Sequence, residues 1–184
     1  WVQASPDVAV HELGKFARKC LACNPTVMEL LWLDEYELDS PAGRELVAAR
    51  SLFLSAPRVR AAYAGYVRSQ ARRLAARTSS GSVGFSAGGS ARVAKHARHC
   101  ARLLVQARAL LTTGTLAVDV SAHRAEILSV ADLALTDPVS FQHWADTESG
   151  ALESLPTSLP ESADVEGVHR LVVSLRRRVD DRVL

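Results

Sequence analysis

Residues 91–113 read ARVAKHARHCARLLVQARALLTT. Within this run Val93, Ala97, Cys100, Leu104, Ala107 and Leu111 recur at alternating steps of four and three, the spacing of an α-helix with one buried seam. Arg92, Lys95, His96, His99 and Arg102 fall on a second stripe, about 140° round the same helix at roughly 100° per residue. The stripe combines a compact ammonium, two-pronged guanidiniums and titratable imidazoles, a donor set suited to phosphate. The alternative is a solvated helix face. The helix ends near Gly114.

Working outward, Ser55-Ala56-Pro57 opens an equally long helix to about Arg77, with Val59, Tyr63, Tyr66, Val67 and Leu74 on one face. Gln70 projects into that face and needs a hydrogen-bond partner, either a tyrosine hydroxyl or a ligand. Thr78–Ser90 is nearly all Ser and Gly and reads as a loop. Downstream, Leu116–Val120 reads as a short strand, and Ala122–Leu135 and Pro138–Leu155 as helices. Residues 156–164 read as a Pro/Ser linker before a last helix, Val165–Val183. Upstream, Asp7–His11 alternates like a strand, and Glu12–Ala22 has helical spacing up to the break at Asn24-Pro25. Val27–Leu33 is short enough for a second strand, the acidic stretch 34–39 is a loop, and Ser40-Pro41 starts a helix. The fold class expected is α+β, mostly α.

The chain has 184 residues and a formal net charge of +2, which conceals a strong asymmetry. Residues 44–108 hold thirteen Lys and Arg against one acid, Glu45, whereas the rest holds nine bases and nineteen acids. Such a block fits a polyanionic partner, a triphosphate or a nucleic acid. No apolar run approaches the roughly 20 residues of a membrane span, so no membrane partner is expected. Three cysteines, Cys20, Cys23 and Cys100, are too few for a disulfide scaffold and point to a reducing cytoplasm. Cys20-x-x-Cys23 is half a zinc site, for which His96-x-x-His99 is a candidate other half; a buried thiol and an unrelated cysteine are the simpler reading.

Two carboxylates stand out. Asp7 starts the first expected strand and Glu29 lies inside the second, where a charge is costly unless it is paired or bound to metal. On neighbouring strands facing basic helices they would suit Mg²⁺-assisted phosphoryl chemistry; salt bridges to Lys15, Lys19 or an arginine are the alternative.

Five stretches in order carry a resemblance. They are Asp7-Val-Ala-Val-His-Glu-Leu-Gly-Lys-Phe16, Asn24-Pro-Thr-Val-Met-Glu-Leu-Leu-Trp32, Arg50–Ser55, Tyr63-Ala-Gly-Tyr66 with Gln70, and Lys95-His96 with His99 and Arg102. Over about residues 5–130 the chain resembles nucleotidyltransferases of the DNA polymerase beta superfamily, the RlaP/YcgL branch. The resemblance implies transfer of a nucleoside monophosphate from an NTP to an acceptor, with Mg²⁺. It implies Asp7 as the third metal-holding carboxylate and Lys95, His96 and Arg92 as triphosphate contacts. His99 belongs to the same stripe, and Tyr66 and Gln70, with Tyr63, are placed at the base or acceptor. Glu29 corresponds to a family position and is a second candidate metal ligand.

The family's Gly-Ser turn and acid pair do not occur here; neither Gly81-Ser82 nor Gly89-Ser90 is followed by such a pair. The chain is therefore expected to be the C-terminal part of such an enzyme. Residues 1–39 would be the last strands of the polymerase-beta-like core, 40–155 a basic helical subdomain, and 156–184 a linker and C-terminal helix. A non-catalytic basic helical module that binds nucleic acid or nucleotide is the alternative function.

Overall fold

The computed structural model describes residues 2–4, 7–79 and 87–180, with the side chains of residues 8–76 and 88–178. The fold is mostly helix. The described strands are β1 (Val2–Ala4) and β2 (Asp7–Ala9), an antiparallel pair in which Ala4 faces Asp7 and Val2 faces Ala9. They are followed by α1 (Leu13–Leu21), α2 (Pro25–Met28), α3 (Pro41–Ala48), α4 (Ala56–Ser79), α5 (Ala87–Thr113), α6 (Arg124–Thr136), α7 (Pro138–Ser154) and α8 (Val165–Asp180).

The helix starts follow local chemistry. Asn24, Ser40 and Asp137 each accept a backbone N–H of the first turn, and each precedes a proline at the first helical position. Glu12 caps α1 by accepting the N–H groups of Gly14 and Lys15, both at 2.8 Å. These bonds and the Arg176 guanidinium hold its carboxyl well down, at about 2. α1 ends with the N–H of Asn24 on the Lys19 carbonyl and that of Cys23 on the Cys20 carbonyl, a paired helix stop. This stop puts Cys23 at a φ of 50°, a left-handed position normally given to glycine. Its side chain is fully buried, and that burial holds the strained turn in place.

The seam on residues 93–111 is buried throughout, as the spacing predicts. α4 and α5 lie side by side and antiparallel, α7 covers α4, and α6 covers α5. One apolar core runs from Ala17 to Val172, with Met28, Phe53, Tyr63 and Phe141 fully enclosed.

Several local expectations are corrected. Val27–Leu33 is not a strand: the Asn24 cap and Pro25 launch α2, and a 3₁₀ turn continues it over Glu29–Leu31. An apolar run of this length fits either state, and the cap decides it. Asp7 and Glu29 therefore do not stand on neighbouring strands. Leu116–Val120 is irregular, anchored by buried Leu116, with no strand beside it among the described residues. The Ser/Gly stretch is helical at both ends: α4 runs to Ser79 and α5 begins at Ala87, while Gly81-Ser82 lies outside the described residues. The polymerase-beta-like sheet has no counterpart in the described residues beyond the β1–β2 pair.

Residues 156–164 form an ordered strap. Thr157 Oγ1 donates to the Leu111 carbonyl at 2.7 Å, and Ser55 Oγ donates to that of Glu161 at 2.9 Å. The Ala56 N–H donates to the Pro160 carbonyl, and the Asp164 N–H to that of Leu52. At the end of α7, Arg60 donates from Nε to the Leu152 carbonyl (2.9 Å) and from Nη2 to the Leu155 carbonyl (2.7 Å).

This double contact yields a prediction. Arg60→Ala leaves the carbonyls of Leu152, in the last turn of α7, and of Leu155, just past it, without this donor, and should lower stability by about 1–3 kcal/mol. Urea unfolding should show a lower midpoint at unchanged slope. Arg60→Lys should recover only part of the loss, because one ammonium cannot reproduce the fork.

Candidate functional site

The side of α5 away from the seam meets the turn that carries Glu29. Arg102 reaches the Glu29 carboxylate, with Nη2 3.1 Å from Oε1. Gln106 lies one turn further on and is fully buried; its Nε2 donates to the same Oε1 at 2.8 Å and to the Ala117 carbonyl at 3.1 Å. Glu29 is thus held from two sides at 17% exposure. Beside it, His99 sets its ring edge-on to Tyr66, with centroids 5.2 Å apart and planes at 88°. The Arg102 Nη2 is 3.4 Å from His99 Nδ1. A guanidinium only donates, so Nδ1 accepts and the ring proton resides on Nε2.

Two polar atoms of the cluster, the Tyr63 hydroxyl and Gln106 Oε1, are buried without a hydrogen-bond partner among the described residues. Burial, with the nearby Cys23 thiol and Glu29 carboxylate, pushes the Tyr63 phenol far up. Burial first, then the Arg102 charge, holds the His99 imidazole below its ordinary 6.5.

The structure brings Glu29, Tyr66 and His99 together, with Arg102 between them. Gln70 and His96 are half-buried further along α4 and α5, while Arg92 and Lys95 are exposed at the outer edge. Arg92 and Lys95 have no ion-pair partner among the described residues. Asp7 is placed by its backbone in β2, and its side chain lies outside the described residues.

A Mg²⁺ ion asks for several oxygen ligands. Glu29 offers one carboxylate already engaged by Arg102 and Gln106, so the described residues do not form a Mg²⁺ site around it. Among the described residues no three His, Cys, Asp or Glu side chains lie close enough to share an ion. Cys20 and Cys23 are buried thiols, pushed up to about 12 and about 11 mainly by burial.

Gln106, Arg98 and Arg124 were not singled out in the sequence. For Gln106 the signal was available: His99, Arg102 and Gln106 repeat at three and four, and an amide interrupts an otherwise apolar half-helix. Arg98 and Arg124 are exposed, and no carboxylate partners either among the described residues. A hollow of about 640 Å³ lies elsewhere, between α1 and α3, and is walled by Phe16, Leu31, Tyr36 and Leu46.

The His99 environment predicts a pH dependence. The fold favours the neutral ring, so the unfolded chain binds more protons and stability rises with pH. The contribution is present above 6.5 and is lost as pH falls below it. The melting temperature should therefore decline between about pH 6.5 and 5, before carboxylates titrate. His99→Gln should flatten that segment of the profile.

No curated protein and no solved structure matches the chain. A family model does, across residues 2–137, from β1 to the end of α6. It spans the Glu29 turn, α4 and α5, and hence every member of the cluster above. The chain belongs to RlaP, the RNA repair pathway DNA polymerase beta family.

Proposed function

We propose that the chain is the helical part of a nucleotidyltransferase that moves a nucleoside monophosphate from an NTP to an acceptor. The observation that carries this reading is the edge of α5, where Arg92 and Lys95 stand exposed, without an ion-pair partner among the described residues, beside the half-buried wall of Tyr66, Gln70, His96 and His99. Lys95 and Arg92 hold the triphosphate as charge partners, and His96 adds a donor. The neutral His99 offers its Nε2–H toward a phosphate oxygen, since Arg102 occupies Nδ1. Tyr66 and Gln70 contact the base or the acceptor.

In the transfer, the acceptor oxygen loses its proton and forms a bond to the α-phosphorus. The bridging P–O bond to the β-phosphate breaks and pyrophosphate leaves. Mg²⁺, when bound, would offset charge on the phosphates. In this reading Asp7 is the carboxylate that holds it, and Glu29 fixes the position of Arg102. The site of action is cytoplasmic. Exposed Arg98 and Arg124 favour, as a second reading, a nucleic-acid-binding module without chemistry.

Two variants test the reading. Lys95→Ala should weaken NTP binding about fivefold, for a contact of about 1 kcal/mol at an exposed site. Asp7→Asn should leave NTP binding in place but abolish pyrophosphate release in a preparation that carries transfer activity. Full transfer by Asp7→Asn would remove Asp7 from the reaction, and unchanged NTP affinity in Lys95→Ala would remove the α5 edge. NTP binding should also weaken steadily as salt rises, because the contacts are ionic.

A further inference from the structure

A second groove lies on the α6 side of α5. It encloses about 470 Å³ and is lined by Arg98 and Arg102 of α5, by Arg124 at the start of α6, and by an apolar floor that includes Val118, Val120 and Ile127. Its charge is cationic on balance. Three guanidiniums face one lining carboxylate, Asp119, which is turned onto the Ser121 N–H at 2.8 Å. Arg102 also has Glu29 behind it, but Arg98 and Arg124 have no carboxylate among the described residues. The other acid near the start of α6, Glu126, is directed to Arg108 and His123.

Two guanidiniums without a carboxylate among the described residues, over an apolar floor, suit a nucleotide. A phosphate satisfies the paired donors, and a sugar and base cover Val118, Val120 and Ile127. The volume lies within the range of small-ligand sites, roughly 300–1,000 Å³. The groove also continues the exposed line of α5. Lys95 and Arg102 lie seven residues apart, about 10 Å of helix at 1.5 Å per residue, with Arg98 between them. That line leads from the edge assigned to the triphosphate toward Arg124.

We infer that this groove seats one nucleotide of a single-stranded nucleic-acid acceptor, with its phosphate between Arg98 and Arg124. The role as acceptor subsite rests on the nucleotidyltransferase reading; binding of the strand does not. Arg102 is a positioning residue shared by the two sites, because its guanidinium is held by Glu29 while it lines the groove.

The test uses the whole chain and a fluorescein-labelled single-stranded RNA of about ten nucleotides, a length within the span of a basic strand-binding groove. Anisotropy titrations across a salt series compare wild type, Arg98→Ala/Arg124→Ala and, as a charge control, Arg177→Ala. Arg177 is on α8, which packs on α1 rather than on α5 or α6. The double variant should bind the strand at least about tenfold more weakly, with a salt slope shallower by about 0.7, the value for one phosphate of a single strand. Arg177→Ala should bind like wild type, and NTP affinity should be unchanged in both. Wild-type strand affinity in the double variant overturns the groove, as does an equal loss in Arg177→Ala, which would reduce the effect to net charge. Lys95→Ala separates the two claims: NTP affinity lost there, with strand binding indifferent to Arg98 and Arg124, sinks the groove alone.

Discussion

The Glu29 carboxylate is the point on which the described arrangement turns. It comes from a 3₁₀ turn far from α5 in the chain, yet it meets Arg102 and Gln106 of that helix where little water reaches. Removing water from a carboxylate costs several kcal/mol unless charge and hydrogen bonds replace it. Here one guanidinium and one amide do so at a single oxygen. The requirement works in both directions. Gln106 is fully buried and needs Glu29 and the Ala117 carbonyl for its amide protons, so the segment after α5 is drawn into the same knot. Arg102, once held, presents a donor to His99 and thereby selects the tautomer of the ring that packs on Tyr66.

The long helices were legible in the sequence because their signal is redundant. Six seam positions on α5 agree with one another, and all six are buried. Asn24-Pro25 reads as a break rather than as the start of α2 that it is, whereas Ser40-Pro41 was equally readable as a start. The short run Val27–Leu33 was not, since a handful of apolar residues fits a strand or a helix. Only the cap bond from the Val27 N–H to Asn24 Oδ1 at 3.2 Å, with a proline already shaped for the first turn, settles it. Leu116–Val120 failed for a related reason: alternation marks a strand only where a neighbour exists to pair with it.

The site was legible as residue types and only partly as geometry. Tyr66, His99, Glu29 and Arg102 were all visible as outliers of charge or shape. Periodicity places such residues round one helix, but it does not tell which turn of a distant segment they meet. The stripe drawn on α5 therefore divides in the structure. Arg92 and Lys95 face solvent, while His99 and Arg102 lean toward Glu29. Arg98 gains meaning only when α6 brings Arg124 into the same groove.

The left-handed stop at Cys23 has a consequence for how the molecule can be followed. That turn drives Cys23 inward alongside Cys20, and Cys100 sits in the α5 seam, so all three thiols are enclosed. Burial pushes them up to about 12, about 11 and about 12 for Cys20, Cys23 and Cys100. Almost no thiolate exists at neutral pH, and the thiolate is the reactive form. The folded chain is thus silent toward alkylating reagents, and each labelled cysteine records an opening event. Cys23 and Cys100 report different neighbourhoods, the end of α1 and the middle of α5. Their relative labelling rates therefore measure whether the amino-terminal segment lifts away before the helical core comes apart.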